Sequence, residues 1–406
     1  MSNEPRSGPL AGMRVLELAQ IMAGPTCGAL LADLGADVIK VEKLPGGDDA
    51  RGYREPRVNG VSAPFLMLNR NKRGLALDLK RPEGRAILLR LVGRADVLIE
   101  NYRRGTMERL GLGYDTLAGA NPALIYCAIT GYGRDGPWAD KGGFDLVAQA
   151  FAGLMAITGE PGRPPVKTGN PVSDINAGLL AAVGILAAWA HRQRTGRGQM
   201  VDTSLMEAAL QQTYWHAASY FATGESPGPL GSAHILTAPY QAFAASDGWI
   251  VIGGANQANW ERIADTLGHP EWRDDPRFAT NSARMANLPA LVAAMSDVLA
   301  RKSRAEWLAL LDAAGVPAGP VHSVGEALTH PQTLARGMVV ALEHPDAGPT
   351  RALGCPVHLS ETPARVDRPA PRLGEHTREL LRECGYVDVE IDAFAGAGVV
   401  ATVESG

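Results

Sequence analysis

Asp174 is the first candidate for covalent chemistry, because an apolar segment typical of a helix follows it closely. The carboxylate lies within residues 171–178, directly before the apolar run 179–190. Free backbone N–H groups and the positive end of a helix dipole favour an ionised carboxylate there, and such a carboxylate can act as a covalent nucleophile. An Asp before an apolar helix is also an ordinary N-cap. From this local pattern alone both roles stay open.

A pair of adjacent glycines, Gly253 and Gly254, lies just past a predicted strand. Glycines at such a place allow close approach of the backbone to a ligand, or the movement of a lid. A plain loop is the alternative.

Lysines and arginines recur where predicted strands end. The set comprises the run at residues 69–73, Lys40, Lys43, Lys80, Arg103, Arg104 and Arg109. Open α/β sheets bind ligands at the carboxyl ends of their strands, so these cations predict a site for a phosphate-rich small molecule. An ordinary solvated surface is the alternative.

One motif resembles a dinucleotide-binding fingerprint, but its context excludes that function. Residues 131–136 match G-x-G-x-x-G after a predicted strand, and a dinucleotide site needs a helix that starts at the third glycine. Pro137, Trp138, Gly142 and Gly143 interrupt any helix there. The motif therefore predicts a tight loop and not a dehydrogenase.

The elements that must position these residues alternate between strand and helix periodicity. Strands are predicted at residues 13–18, 36–42, 75–79, 96–100 and 124–130, and helices at 24–34, 82–94, 145–156, 176–193 and 204–223. This β-α-β order predicts a parallel sheet with helices on its faces. A Pro/Gly/Ser linker follows at 224–232, and a smaller α+β domain at 233–325 opens with a hairpin at Asp247-Gly248.

Composition excludes several classes of protein. The 406 residues are 46% hydrophobic and 20% charged with a net charge of −4, which fits a globular chain and does not suggest a nucleic-acid partner. The four cysteines and nine histidines show no metal-ligand spacing. The N-terminus lacks the apolar region of a secretory signal, and the apolar run 177–190 is shorter than the about 20 residues that cross a bilayer. We expect a cytoplasmic protein with no membrane partner.

Taken together, strings along the whole chain resemble the family III CoA-transferases and occur in that family's order. They lie at residues 10–18, 23–25, 34–43, 69–80, 100–110, 131–137, 144–149, 195–199 and 372–377. Residues 129–133, 231–234 and 239–243 look most similar to members that use succinyl-CoA and a dicarboxylate, such as glutarate or hydroxymethylglutarate.

The resemblance implies an interlocked homodimer. Each chain would form a large Rossmann-like domain with a parallel sheet from residues 1–223 and a return segment at 326–406, and a smaller α+β domain from its middle. It also implies that Asp174 attacks the donor thioester to give an aspartyl anhydride and then an aspartyl-CoA thioester, while Gly253 and Gly254 close over the intermediate. Coenzyme A is then a substrate, with no permanently bound cofactor and no metal.

By motif position, the resemblance further implies a coenzyme A site. Its residues are Ala23, Lys43, Leu77, Lys80, Asn101, Tyr102, Arg109 and Leu110. Met22 and the loop at 253–257 depart from the formyl-CoA:oxalate enzymes and argue against oxalate as the acceptor. Two alternatives stay open, a non-catalytic acyl-CoA-binding protein and an α-methylacyl-CoA racemase. The racemase needs a histidine as one of two bases, where this chain has Phe144.

Overall fold

The computed structural model describes residues 7–403. They form two compact units, a large unit of residues 7–152, 169–212 and 331–403 and a small unit of residues 153–168 and 213–330. The chain therefore passes four times from one unit to the other. The domain boundaries predicted at residues 223, 233 and 325 rest on composition and resemblance, and they stay predictions.

The strands of the described residues are short, and β1, β2, β5, β6 and β7 of the large unit are the mostly buried ones. They are β1 (Arg14–Glu17), β2 (Asp37–Glu42), β3 (Arg57–Val58), β4 (Val61–Ser62), β5 (Arg73–Leu77), β6 (Val97–Glu100), β7 (Ile125–Thr130), β8 (Met200–Ser204), β9 (Tyr240–Ala245), β10 (Gly248–Gly253), β11 (Ala318–Pro320), β12 (Val339–His344), β13 (Gly348–Leu353) and β14 (Val400–Ala401).

The helices fall between the strands in the order that the sequence predicts for the first half of the chain. They are α1 (Ala23–Asp33), α2 (Ala63–Leu68), α3 (Pro82–Val92), α4 (Thr106–Arg109), α5 (Tyr114–Ala120), α6 (Asp145–Phe151), α7 (Leu154–Ile157), α8 (Val172–Thr195), α9 (Leu205–Gln211), α10 (Tyr214–Thr223), α11 (Gln257–Thr266), α12 (Asn281–Ala286), α13 (Leu288–Leu299), α14 (Arg304–Ala313), α15 (Val324–Thr329), α16 (Pro331–Ala335), α17 (Thr377–Glu383) and α18 (Asp388–Gly396).

The large unit is built on a seven-stranded sheet in the order β14-β5-β2-β1-β6-β7-β8. All neighbouring strands are parallel except β14, which pairs antiparallel with β5. Side chains alternate between two buried layers, with Leu16 facing the layer of α3 and α17 and Val15 facing that of α1 and α8. Both faces are therefore covered, as parallel sheets require, and the predicted α/β fold with a parallel sheet is confirmed.

The strand order reverses between β1 and β6, and this reversal decides where a ligand can bind. From β1 the sheet continues through β2 to β5 on one side and through β6 to β8 on the other. Connections leaving the carboxyl ends of β1 and β6 therefore diverge and leave a crevice between them, which is the usual ligand site of open α/β sheets.

Helix α8 differs from the prediction in its length and in its first residue. It begins at Val172, so Asp174 lies in the first turn and is not the N-cap, which is Pro171. Its 24 residues are long and apolar enough to cross a membrane by length and composition alone, which corrects the shorter predicted run. In the structure α8 packs against α1, α6, α9, β7 and β8 within the large unit, so it is a core helix there.

The small unit contains a three-stranded antiparallel sheet in the order β11-β10-β9. β9 and β10 form the predicted hairpin, but its two-residue turn is Ser246-Asp247, since Gly248 already pairs with Ala245. Trp260, Phe278 and Leu291 belong to the buried core under this sheet. One predicted helix is corrected, because residues 204–223 form two helices, α9 and α10, interrupted at Gln212 and Thr213.

The glycine motif at residues 131–136 lies in a loop, as predicted. No helix begins until Asp145, the first residue of α6. Gly131 is packed against the backbone of Gly143, where an added Cβ would lie 2.7 Å from the Gly143 Cα. Gly131 therefore serves close backbone packing, whereas Gly133 and Gly136 meet no atom within 4 Å and have φ of 93° and 81°, as tight turns require.

Candidate active site

The carboxyl ends of β2, β5 and β6 surround a pocket of about 250 Å³ in the large unit. Six of the eight residues implied for coenzyme A line it: Lys43, Leu77, Lys80, Tyr102, Arg109 and Leu110. The other lining residues, which the sequence reasoning missed, are Gln20, Val41, Glu42, Leu44, Asp78, Leu79 and Thr106. Most of them lie at or next to the end of a strand in the sequence. That position is the signal by which the sequence could have indicated them as pocket residues. Cations on a partly apolar wall suit a ligand that carries phosphates on an organic body.

Asn101 joins the two connections at the strand reversal. Its Oδ1 accepts a hydrogen bond from the Gln20 N–H at 2.9 Å, and its Nδ2 donates to the Gln20 carbonyl at 2.8 Å. The connection after β1 is therefore fixed to the connection after β6. Because Gln20 lines the pocket and Asn101 precedes Tyr102, this pair of bonds holds two sides of the wall together.

Glu100 fixes the next residue of that wall. Its Oε2 accepts a hydrogen bond from the Tyr102 N–H at 2.7 Å, and its Oε1 accepts one from the Tyr126 hydroxyl at 3.2 Å. Burial raises the pKa of Glu100 to about 7, against the opposing effects of these bonds and of Arg134. Glu100 therefore holds the backbone of Tyr102 in place. The sequence reasoning did not predict this role.

Ala23, the last of the implied coenzyme A residues, connects the pocket to Asp174. It is the first residue of α1, directly after the connection that contains Gln20. A Cβ added to Gly178 of α8 would lie 2.5 Å from the Ala23 carbonyl oxygen, so the two helices meet backbone to backbone there. Gly178 lies four residues after Asp174 and therefore on the same face of α8. The β1–α1 connection thus runs from the pocket to the helix face that carries Asp174.

Asp174 carries a strongly perturbed carboxyl group. Burial raises its pKa from 3.8 to about 7, and the neighbouring Asp145 carboxylate adds to the shift. The sequence predicts that the helix start keeps this acid ionised. The raised pKa points the other way, because desolvation and a like charge outweigh the helix dipole. A perturbed acid of this kind is a mark of functional sites.

Asp145 is a charged neighbour of Asp174 that the sequence reasoning did not single out as a site residue. Its Oδ1 accepts a hydrogen bond from the Ser173 N–H at 2.8 Å, and its Oδ2 accepts one from Gln149 Nε2 at 2.7 Å. It therefore caps the first turn of α8 from another helix, in the place of a local N-cap. Only the three-dimensional structure brings it beside Asp174, 29 residues further along the chain.

The basic run at residues 69–73 does not face a ligand. Lys72 is fully buried and lies 2.8 Å from Glu17, Arg70 contacts Asp33 at 2.6 Å, and Arg73 pairs with carboxylates that include Glu383. Lys40 is also fully buried among carboxylates. The prediction that these cations hold phosphates is wrong, because they are already paired with carboxylates of the protein. Lys43, Lys80 and Arg109 line the pocket.

Gly253 and Gly254 lie at the end of β10 in the small unit. The Gly253 N–H donates to the Pro317 carbonyl at 2.8 Å, and the Gly254 N–H donates to the Pro239 carbonyl at 2.7 Å. An added Cβ at Gly254 would lie 2.6 Å from the Pro239 oxygen, whereas at Gly253 the closest atom would be 3.4 Å away. Side chains are therefore sterically excluded at Gly254 and accommodated at Gly253.

Metal ligation receives no support from side-chain positions. Within residues 7–403, no group of three or more His, Cys, Asp or Glu side chains is arranged to hold a metal ion. The four cysteines are buried, and burial raises the pKa of Cys127 well above its usual value.

The raised pKa of Asp174 predicts a pH-dependent stability that Asp174→Asn removes. Folding favours the protonated acid. Asp174 therefore contributes fully to the free energy of unfolding below about pH 4, and this contribution is lost as the pH rises through about 7. We expect Asp174→Asn to be more stable than the wild type by roughly 1–3 kcal/mol at pH 8, and equal to it near pH 4. Urea unfolding at both pH values measures this, with the exposed Asp115→Asn as a control that follows the wild type. If Asp174→Asn brought no gain in stability at pH 8, the burial of this charge would be contradicted.

Comparisons with known proteins agree with the geometry. The pattern of CoA-transferase family III matches residues 10–377. A succinate–glutarate CoA-transferase of Agrobacterium fabrum is 40% identical over 389 residues, which cover 94% of this chain and 97% of that protein. An acetyl-CoA:oxalate CoA-transferase of Acetobacter aceti is 39% identical over 378 residues, covering 93% and 96%. The crystal structure of a CAIB/BAIF family protein from Brucella suis has a TM-score of 0.84 at 40% identity and covers 93% of this chain and 100% of that chain. The chain belongs to CoA-transferase family III.

Proposed function

We propose that this CoA-transferase moves coenzyme A from succinyl-CoA to a dicarboxylic acid through covalent intermediates on Asp174. The observation that carries the proposal is the connection from β1 to α1, which runs from the cationic pocket to the face of α8 that bears Asp174. Lys43, Lys80 and Arg109 would hold the phosphates of coenzyme A, and its thioester end would reach Asp174 beyond Ala23.

The reaction exchanges acyl groups without a net change of oxidation state. A carboxylate oxygen of Asp174 attacks the thioester carbonyl carbon and the C–S bond breaks. The coenzyme A thiolate departs, and an aspartyl succinyl anhydride is formed. The thiolate then attacks the Asp174 carbonyl carbon, releasing succinate and giving an aspartyl-CoA thioester. The acceptor carboxylate attacks that thioester, which expels the thiolate and gives a second anhydride, between Asp174 and the acceptor. The thiolate then attacks the acceptor's acyl carbon, forming the new acyl-CoA and releasing the Asp174 carboxylate.

The environment of Asp174 supports this role. A pKa of about 7 leaves a large fraction of the group ionised at neutral pH, and a more basic carboxylate is a better nucleophile than an ordinary one. The burial that raises the pKa also limits the access of water to the anhydride. Coenzyme A acts as a substrate in this scheme, and no step needs a metal or a bound redox cofactor.

The acceptor is proposed from the relatives. One is named for glutarate and another for oxalate, and both of these acids are dicarboxylates. A five-carbon diacid is our first choice, because residues 129–133 and 239–243 look most similar to the glutarate type of enzyme.

A direct test is to incubate the purified protein with succinyl-CoA and a panel of carboxylates. Glutarate, itaconate, mesaconate, citramalate, oxalate and carnitine cover the diacids and one non-diacid, and mass spectrometry follows new acyl-CoA species. We expect a new thioester from at least one diacid and none from carnitine. Exchange of the α-proton of a 2-methylacyl-CoA in the absence of any transfer would point to the racemase instead.

Replacing the nucleophile should separate turnover from binding. We expect Asp174→Ala to lower transfer by more than about a thousandfold, while the dissociation constant for coenzyme A changes by less than about threefold, because the pocket lies on other elements. Steady-state kinetics and calorimetry with coenzyme A measure the two effects. Retained transfer in this variant would refute the covalent mechanism, and Asp115→Ala is the matched control for an acid of the same unit.

We also propose that Gly253 and Gly254 act as a lid that keeps water from the anhydride. Gly253→Ala is the informative variant, since its Cβ meets only ordinary contacts. We expect slower transfer and a several-fold higher ratio of hydrolysis to transfer, compared with Gly319→Ala on the neighbouring strand β11, where the nearest atom lies 4.0 Å away. An unchanged ratio of the two reactions would remove the lid role.

An interlocked homodimer is proposed from the apolar surface that each unit exposes. In the small unit, none of the ten residues of α10 is buried, and Tyr214, Trp215 and Phe221 are 67%, 60% and 84% exposed. In the large unit, α6, α8 and α9 pack on one another and expose Leu146 and Val183 by 50% and 63%. An apolar helix with no buried residue is not a stable surface element, and apolar surface of this kind usually forms an interface.

The oligomeric state can be disrupted at α10. We expect light scattering after gel filtration to give a mass of twice 42.8 kDa for the wild type, and the double variant Trp215→Glu, Phe221→Glu to shift towards monomer because two buried charges oppose the contact. Val324→Glu, at a residue 77% exposed in the same unit, is the control that stays dimeric. A monomeric wild type at micromolar concentration would contradict the proposal.

A further inference from the structure

Four charged side chains are packed together under the carboxyl end of β1. Glu17, Lys40 and Lys72 are fully buried and Asp48 is 1% exposed. Lys40 Nζ lies 3.0 Å from Glu17 Oε1 and 2.6 Å from Asp48 Oδ2, and Lys72 Nζ lies 2.8 Å from Glu17 Oε2. The two cations and two anions balance in charge. Even the small Gly28 is required beside them, because a Cβ there would lie 1.7 Å from Glu17 Oε2.

Lys40 and Asp48 hold each other in their charged forms. Burial by itself would lower the pKa of Lys40, but the charges of Glu17 and Asp48 outweigh it and raise that pKa above its usual value. Burial would likewise raise the pKa of Asp48, but Lys40 and the backbone N–H groups around it lower the pKa. Asp48 therefore presents an ionised carboxylate inside the protein.

The Asp48 carboxylate also accepts hydrogen bonds from the backbone of the β1–α1 connection. The Ile21 N–H donates to both oxygens of Asp48, at 3.1 and 3.3 Å, and Lys40 Nζ donates to the Ala19 carbonyl at 2.6 Å. Ile21 has a φ of 67°, in the left-handed region that β-branched residues disfavour. The connection needs such external bonds because its own residues disfavour this conformation.

The connection held in this way is the one that spans the proposed active site. Gln20 lines the pocket and is bonded on both sides to Asn101. Met22 is the N-cap of α1, and Ala23 meets Gly178 on the face of α8 that carries Asp174. A shift of Ile21 would therefore move Gln20, on the pocket wall, relative to Ala23, which packs against α8.

We propose that Asp48 is a positioning residue, which, held by Lys40, fixes the Gln20–Ile21–Met22 connection so that the thioester of bound acyl-CoA is directed at Asp174. This inference rests on the proposed transferase function. Asp48 touches neither pocket nor substrate in it and acts only through the Ile21 N–H. Stability alone does not account for the Lys40–Asp48 pair, because apolar residues of similar volume stabilise a protein core equally well or better.

The first test compares two buried aspartates. Asp48→Asn places an amide N–H₂ against the Lys40 ammonium, and Asp33→Asn does the same to Arg70, which lies 2.6 Å from Asp33. Both residues are 1% exposed, but Asp33 ends α1, about 15 Å along the helix from Ala23. We expect comparable losses of thermal stability, and a fall in kcat of about tenfold or more for Asp48→Asn only. KM for succinyl-CoA should change little, since Lys43, Lys80 and Arg109 are untouched.

The second test removes the pair without leaving a buried charge. The double variant Lys40→Met, Asp48→Leu keeps the Glu17–Lys72 pair balanced, so it should fold even if Asp48→Asn does not. We expect it to be more stable than Asp48→Asn, because no buried charge is left unpaired, and to lose kcat to the same extent. Full activity in this folded variant, or an equal loss in Asp33→Asn, would overturn the positioning role.

A readout without turnover separates this proposal from the proposed function. Hydrogen–deuterium exchange of the peptide covering residues 18–26 should be faster in the double variant than in the wild type and in Asp33→Asn. Unchanged exchange there would overturn the proposal whether or not the protein transfers coenzyme A. Absence of transfer by the wild type, combined with faster exchange in the variant, would refute the transferase assignment to Asp174 and leave the role of Asp48 in ordering the connection intact.

Discussion

Parallel strands deliver their carboxyl ends to one edge of a sheet, and the candidate site of this protein is built on that edge. Because the strand order reverses between β1 and β6, the connections that leave these two strands diverge and cannot cover the crevice between them. The Asn101 amide bonds one connection to the other through Gln20. The pocket is therefore a consequence of topology, and its shape is a consequence of a few hydrogen bonds across the reversal.

Charge is treated in two different ways around this edge. Glu17, Lys40, Asp48 and Lys72 are removed from water as a balanced set in which each cation has a carboxylate within 3.0 Å. Within residues 7–403 no such cation pairs with Asp174; it lies beside another acid, Asp145, and its pKa is raised to about 7. The first arrangement gives fixed geometry, whereas the second gives a carboxylate that is costly to ionise and correspondingly reactive. The proposed reaction through an acyl anhydride would use both arrangements, an immobile scaffold for the thioester and a basic carboxylate to attack it.

The sequence reasoning succeeded where local signals repeat. The alternation of strand and helix periods located β1, α1, β2, β5, α3, β6 and β7 to within a few residues, because both faces of a parallel sheet demand long apolar patterns. It failed at the start of α8, where Pro171 is the N-cap, Ser173 and Asp174 lie in the first turn, and Pro171 makes no side-chain cap. The cap comes from Asp145 on α6, and no local pattern could indicate it. It also failed at the basic run, where Lys72 and Arg73 look like ligand-binding cations and instead neutralise acids that are distant in sequence.

By itself, then, the sequence determined the class of fold, the family, and the strand ends that carry the pocket residues. Ordered strings of residue types along the chain are sufficient for those three conclusions. The tertiary structure alone decided which charges are free to meet a ligand and which are buried with partners, because partnership depends on distances between segments far apart in the chain. It also decided the state of Asp174. The helix dipole, a local effect, favours the ionised acid, but burial and the approach of Asp145 are effects of packing, and they are the stronger ones here.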